Sequence, residues 1–225
     1  MKLFKFLTIA IATLSLSAQA TPLLINGGFE DANPAGYASF ASDYSQGNLY
    51  DPASIGIGSN PNLFHGSWGS FGAQEGINML LVNGGQSLAS NTVWSQTVNL
   101  TAGSYNFSGF AASTVFFNPS TLRVVATIGG NVFAIGGVAL GSNVGQWDGF
   151  GGSFSLQTSS SVTLKILNLG TEYGGNDFAV DNLTLAAAAV PEGETYSTLL
   201  AGLGLLGFAA IRRRVRHDAR KHVGC

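Results

Sequence analysis

Two acids stand at opposite ends of the central region of the chain. Glu30 closes Asn26-Gly27-Gly28-Phe29-Glu30, and Asp181 lies in Phe178-Ala179-Val180-Asp181-Asn182-Leu183-Thr184-Leu185. By the two-residue period of a strand, Asp181 shares a side with Leu183 and Leu185. A carboxylate on an apolar side is costly unless it is paired or holds a metal. Bases to pair with it are scarce, because residues 21–189 contain Arg123 and Lys165 against nine acids. A hard cation with oxygen ligands would satisfy Glu30 and Asp181 together if the first and last strands lie side by side. The alternative is that Asp181 turns to solvent through a bulge and Glu30 is a surface acid.

Catalytic constellations are thin. His65 is the one histidine of residues 21–189, no G-x-S-x-G elbow occurs, and zinc wants three or four protein ligands. Glu75, Asp148, Glu172 and Asp177 would make a glycosidase pair only if folding brought two of them together. Phosphate loops are missing too, since Gly149 to Gly152 has no accompanying lysine. The acidic balance excludes a phosphate backbone as partner, so we expect no nucleic acid.

Aromatic residues carry the remaining chemistry. The Gly-, Ser-, Asn- and Pro-rich stretch 32–73 holds Tyr37, Phe40, Tyr44, Tyr50, Phe64, Trp68 and Phe71. Rigid rings on loops can stack on sugars at small entropic cost. A structureless segment of this length is unusual and tends to be functional. The expected contact set is Tyr37, Tyr44, Tyr50 and Trp68, joined by Trp94 and Trp147; the competing view is that the rings plug one end of the domain.

The elements that must position these residues are strands. Amphipathic helical periodicity is absent, and 31 glycines punctuate short alternating runs. Candidate strands are 23–26, 76–82, 92–100, 104–112, 122–128, 132–140, 152–157, 162–169 and 178–185. Val162, Leu164 and Ile166 alternate with Thr163 and Lys165, giving one dry and one wet face. Gly129-Gly130-Asn131 reads as a hairpin turn, and Leu100-Thr101-Ala102-Gly103-Ser104 as another. About nine strands with tight turns predict an all-β antiparallel β-sandwich, a jelly roll, over residues 21–189. No repeat of solenoid length is found.

The two ends read as addresses. Residues 1–20 form a signal peptide: Lys2 and Lys5, an apolar run from Phe6 to Leu16, and the small-residue site Ala18-Gln19-Ala20. Residues 195–211 are uncharged, at the lower length limit of a transmembrane helix, and Arg212, Arg213, Arg214 and Arg216 follow. Basic residues stay cytoplasmic, so the body is expected outside and the tail 212–225 inside. Cys225, the sole cysteine, leaves the body without a disulfide or a thiol nucleophile.

This C-terminal pattern resembles the PEP-CTERM sorting signal of Gram-negative bacteria. The motif 190–193 supplies Val190, Pro191 and Glu192, the helix 195–211 follows, and Arg212, Arg213 and Arg214 open the basic tail. Gly193 departs from the family's third motif position, which is Pro. The resemblance implies an exosortase-type processing enzyme as partner, transient inner-membrane anchoring and delivery to the cell surface or an exopolysaccharide matrix. An ordinary single-span anchor is the alternative. The body, for its part, resembles carbohydrate-binding jelly rolls of the galactose-binding-like group, through Gly28-Phe29-Glu30 and the late Val180-Asp181. That resemblance implies a structural calcium held by Glu30 and Asp181, and polysaccharide as ligand. The expected function is a non-enzymatic, exported polysaccharide-binding or matrix protein. The alternatives are an adhesive surface protein with no sugar site and, behind it, a glycoside hydrolase.

Overall fold

The structure, a computed structural model, describes residues 22–188 and 200–206. The chain divides into two units, Met1–Ala187 and Ala188–Cys225. The expected signal peptide, the motif residues Val190, Pro191, Glu192 and Gly193, and Arg212, Arg213 and Arg214 lie outside the described residues. Of the expected helix 195–211, residues 200–206 are described, and they are helical. Among the described residues no helix is long and apolar enough to cross a membrane.

The first unit is a β-sandwich. Its elements are α1 (Pro34–Ala38), β1 (Ser45–Gln46), β2 (Ser54–Gly58), a 3-10 turn (Pro61–Leu63), β3 (Met79–Asn83), β4 (Thr92–Leu100) and β5 (Gly103–Ser113). They continue with β6 (Thr121–Ile128), β7 (Asn131–Ala139), β8 (Asp148–Leu156), β9 (Ser160–Asn168) and β10 (Phe178–Ala187). One sheet runs β1-β2-β3-β10-β5-β8 and the other β4-β9-β6-β7. Every pairing is antiparallel except β1 with β2. Trp94, Leu122, Val124, Leu164 and Ile166 of the smaller sheet meet Leu80, Val82, Phe107 and Val180 of the larger in one buried cluster. Strand alternation delivers these side chains inward, while Thr163 and Lys165 stay partly exposed.

The β6–β7 hairpin closes at Ile128 and Asn131 through Gly129 (φ 57°) and Gly130 (φ 83°), the two positive-φ residues a tight turn of this kind needs. The second expected hairpin is not one. β4 pairs with β9 and β5 with β10 and β8, so the chain crosses between sheets at Thr101 and Ala102. Tyr105 fixes this crossing by donating its hydroxyl to the Thr101 carbonyl at 3.0 Å.

The expected strand 23–26 is likewise not one. The amide of Gln96 replaces a ladder there, accepting from Ile25 N at 2.8 Å and donating to Ile25 O at 3.0 Å. The aromatic stretch 32–73, read as a loop, contains α1, β1, β2 and the 3-10 turn, so it widens the larger sheet by two strands. Its remainder covers that sheet's outer face. Leu49 and Trp68 bury Met79, Leu81 and Ala179 in a second apolar cluster, which is why all five residues of β3 are buried. The two sheets also touch at a corner, where β7 crosses β8. A Cβ on Gly152 would lie 1.6 Å from the Ile135 carbonyl oxygen, and one on Gly136 1.8 Å from that of Gly151. Only glycine lets two backbones approach so closely.

Candidate functional site

Asp177 lines a cleft formed by loops gathered at one end of the sandwich. The loop after β1 brings Tyr50, and the segment after the 3-10 turn brings His65 and Ser67. The end of β3 contributes Asn83, the stretch after β5 Phe117, and the stretch before β10 Tyr173 and Asp177. The antiparallel registers of β2, β3, β5 and β10 bring these strand ends together. The cleft encloses about 210 Å³, less than the ~300–1,000 Å³ of pockets that take a drug-sized ligand.

One wall is a stack of three rings. His65 lies 4.1 Å from the Tyr50 ring and 4.9 Å from the Trp68 ring, centroid to centroid and near parallel. The Tyr50 hydroxyl accepts from Gly66 N at 2.9 Å, which pins the ring. One face of Tyr50 is covered by His65, and the residue remains 59% exposed. The result is a rigid platform with a free ring face. Tyr173, 77% exposed, and Phe117, 43% exposed, line other parts of the cleft. Ser67 Oγ lies 2.9 Å from His65 Nδ1.

Asp177 is 8% exposed. Its Oδ1 accepts from Gly84 N at 2.9 Å and its Oδ2 from Trp68 Nε1 at 3.1 Å. Burial pushes its carboxyl up to about 6, and the two hydrogen bonds oppose that rise. Each oxygen retains capacity for a second donor. Burial lowers the His65 value, keeping the imidazole neutral near pH 7.

The expected contact set is dispersed. Tyr50 faces the cleft, but Trp94 is 0%, Trp68 2% and Tyr44 4% exposed, and none of these three presents a ring face to solvent. Trp94 belongs to the main core, against Phe107. Trp68 seals the outer face of the larger sheet and lends Asp177 its N–H. The Tyr44 hydroxyl accepts from Gly85 N and Asn168 Nδ2, anchoring loops beneath the cleft. Tyr37 is half-buried with its hydroxyl on Ile57 N, and Trp147 packs edge-on to Phe71. Tyr44 and Trp68 thus turn inward, and Tyr50 turns outward. Tyr173 and Asp177 were not in the expected set; the run Gly174-Gly175-Asn176 ahead of a strand is the turn signal that marks their loop.

The paired acids follow a different geometry from the one expected. A bulge interrupts β10 between Asp181 and Thr184, with Asn182 at φ 50°. Asp181 therefore stands opposite Phe110, on the outer side, and not with Leu183 and Leu185. It is nevertheless fully buried, because residues 74 and 75 fold over it. Its Oδ2 accepts from Gln74 N at 2.8 Å and Glu75 N at 3.0 Å, and its Oδ1 from Asn182 N at 2.7 Å. Burial raises its carboxyl to about 6, backbone hydrogen bonds act against that, and the Glu30 charge adds to it. Glu30 is exposed and accepts from Ile77 N at 2.9 Å. The first segment does run beside the last strand, with Leu183 N donating to Gly27 O at 2.8 Å. Phe29 holds the turn in the core at φ 54°, an uncommon conformation for a bulky residue.

Among the described residues no three His, Cys, Asp or Glu side chains gather as a metal cluster. Glu30 and Glu75 line a cavity of about 620 Å³ against residues 22–28 and 182–185, and Asp177 lines the aromatic cleft. Asp148 is met by Gln146 Nε2 at 3.3 Å. Of the acids considered as a glycosidase pair, Glu75 and Asp177 thus line different cavities.

No family model matches the chain, and no curated protein matches it. Among solved structures it is similar to TmCBM61 in complex with beta-1,4-galactotriose, at 14% identity and TM-score 0.46, over 75% of this chain and 100% of that one. It is similar to the Family 16 Carbohydrate Binding Module-2 at 13% identity and TM-score 0.45, over 73% of this chain and 99% of that one. The CBM22-1 xylan-binding domain from Paenibacillus barcinonensis Xyn10C aligns at 16% identity and TM-score 0.41, over 52% of this chain and 77% of that one. At these identities and TM-scores the likeness transfers neither a ligand nor a site.

Proposed function

We propose that the β-sandwich is a non-catalytic saccharide-binding domain whose ligand lies on Tyr50 and reaches Asp177. One observation carries this reading: a ring pinned by Gly66 N, covered on one side by His65, leaves its other face open beside a buried carboxylate. A sugar has the matching chemistry, with a C–H face for the ring and hydroxyls for the carboxylate. Affinity electrophoresis of the detergent-solubilised full chain through polysaccharide gels tests it. Retardation that Tyr50→Ala weakens supports the reading; unchanged mobility in every polymer overturns it.

We further propose that this domain is an exported surface or matrix protein sorted by its C-terminal segment. The support is the residue pattern itself: Val190-Pro191-Glu192, an uncharged run and an arginine cluster, which an exosortase-type enzyme would process. Cell fractionation with a tag at each end tests this, and an intact chain in the cytosol would refute it.

A structural calcium held by Glu30 and Asp181 belongs to the same proposal. What supports it is oxygen-ligand chemistry with unrelieved negative charge. Two carboxylates stand close enough for one to perturb the other, and no Lys or Arg is bonded to either among the described residues. Gly76 lets the Glu30 carboxylate lie against the backbone, since a Cβ there would lie 2.0 Å from Oε1. Bound calcium would tie the first segment to the last strand, with backbone carbonyls or water completing the shell.

A further inference from the structure

We propose that the aromatic cleft selects uncharged sugar units and turns away polymers of uronic acids. The inference deepens the saccharide reading above and rests on it. Asp177 is the cleft's only acid, and no lysine or arginine lines it. The body's two cations lie elsewhere. In the β6–β9 register Arg123 stands opposite Leu167 and Lys165 opposite Val125, so both project from the outer face of the smaller sheet. The chain neighbours of the two cleft tyrosines add exposed negative charge, Asp51 after Tyr50 and Glu172 before Tyr173. The one basic group in the cleft, His65, is stacked between two rings and held neutral by burial.

The carboxylate's own bonds define what it can accept. Gly84 N and Trp68 Nε1 occupy one site on each oxygen and cannot leave without unpicking β3's end or the second apolar cluster. What remains are acceptor positions in a nearly dry recess. A neutral sugar offers hydroxyl donors to them. A uronate ring offers a second carboxylate, which has no proton to give near pH 7 and meets a like charge where water screens poorly.

The test is affinity electrophoresis of the full chain in detergent at neutral pH, against xylan, mannan, dextran and β-glucan as neutral polymers and polygalacturonate and alginate as acidic ones. Retention by at least one neutral polymer, with tenfold or weaker retention by both acidic ones at low salt, is the expected result. Raising salt shortens the screening length from ~30 Å at 0.01 M to ~3 Å at 1 M, so the gap should narrow. Equal or stronger retention by the acidic polymers overturns the selectivity while leaving the saccharide reading intact. No retention by any polymer overturns both. Asp177→Asn should raise acidic relative to neutral retention. Because that variant also loses one acceptor for Trp68 Nε1, the wild-type salt series stands as the independent measurement, and a gap that salt does not change refutes the electrostatic cause.

Discussion

Replacing Gly152 by alanine should open the corner at which β7 meets β8, and the structure sets the size of the damage. The new Cβ would lie 1.6 Å from the Ile135 carbonyl oxygen and 2.5 Å from its carbon. Ordinary contact begins at 3.4 Å, so the two strands must separate by roughly 2 Å, and neither partner is a flexible side-chain tip. Overpacking a core commonly costs ~1–3 kcal/mol, and a backbone-to-backbone clash belongs at the upper end, about 3 kcal/mol. For a domain of this size each kcal/mol lowers Tm by ~2–4 °C, giving a fall of about 6–12 °C. Gly149, in the same strand, is the control. Its added Cβ would find only Phe110, at 3.6 and 3.9 Å. Gly149→Ala should be neutral or stabilising by ~0.4–1 kcal/mol, because alanine restricts the unfolded chain. Thermal unfolding of the three proteins followed by near-ultraviolet circular dichroism decides the matter. If Gly152→Ala melts with the wild type, or Gly149→Ala falls equally far, the closed corner is not what joins the sheets there.

Tyr50→Ala should weaken saccharide binding by roughly 2- to 12-fold, the loss of one aromatic stack of ~0.5–1.5 kcal/mol, with Tm nearly unchanged; titration calorimetry against the best-retained oligosaccharide reads it. Stability should fall as pH rises from about 4 to about 6, because Asp177 and Asp181 bind protons more tightly folded than unfolded in that window. A Tm series in chelator that rises or stays flat over the same window would contradict their burial. Calcium should raise Tm more at pH 7.5 than at pH 5, where protons compete for Asp181, and Asp181→Asn should abolish the difference; at 100-fold excess over Kd the gain is about 2.7 kcal/mol. No calcium uptake by calorimetry at either pH removes the ion from the account.

Strands with one wet face, such as β4 and β9, were located from the sequence, and so was β3, which is buried throughout and overlaps the expected 76–82. β4 begins and ends where expected, and β6, β7 and β9 shift by one or two residues, because alternation of apolar with Thr, Ser or Lys is a direct imprint of a half-exposed sheet. β2 escaped because Ser54-Ile55-Gly56-Ile57-Gly58 is short, buried on both faces and set among turn-forming residues. β3 is as short and as buried, but its uninterrupted apolar run Met79-Leu80-Leu81-Val82 marked it, whereas glycines break the run in β2. The aromatic stretch divides between the two directions for a related reason: ring count does not say which side of a covering segment faces the sheet. Trp68 and Tyr44 turn inward and Tyr50 outward from the same run of chain. Tyr173 was not singled out, and Asp177 was considered only as one of a glycosidase pair, because the cleft is assembled from loops distant in sequence and aligned only by strand register. The bulge at Asn182 reversed the side on which Asp181 stands, and an asparagine with positive φ leaves little mark in a run that otherwise alternates.

Asp177 and Asp181 confront the same physical problem, a carboxylate buried in a body with two cations, both on a distant sheet face. Their surroundings favour different resolutions. Around Asp181 the neighbours are backbone N–H groups and a second acid, Glu30, whose charge makes ionisation harder. Neutral donors can soften such a pair, but a cation answers the repulsion itself, which is why calcium is proposed there. Around Asp177 the neighbours are an indole N–H, a glycine N–H and exposed rings, with no second carboxylate bonded to it. A cation there would lack a partner ligand, whereas a hydroxyl-bearing ring would satisfy carboxylate and platform at once. The two sites should therefore separate experimentally: calcium should move stability through Asp181 and leave the neutral-over-acidic preference of the cleft untouched, and a preference that shifts with calcium would mean the two carboxylates are not independent.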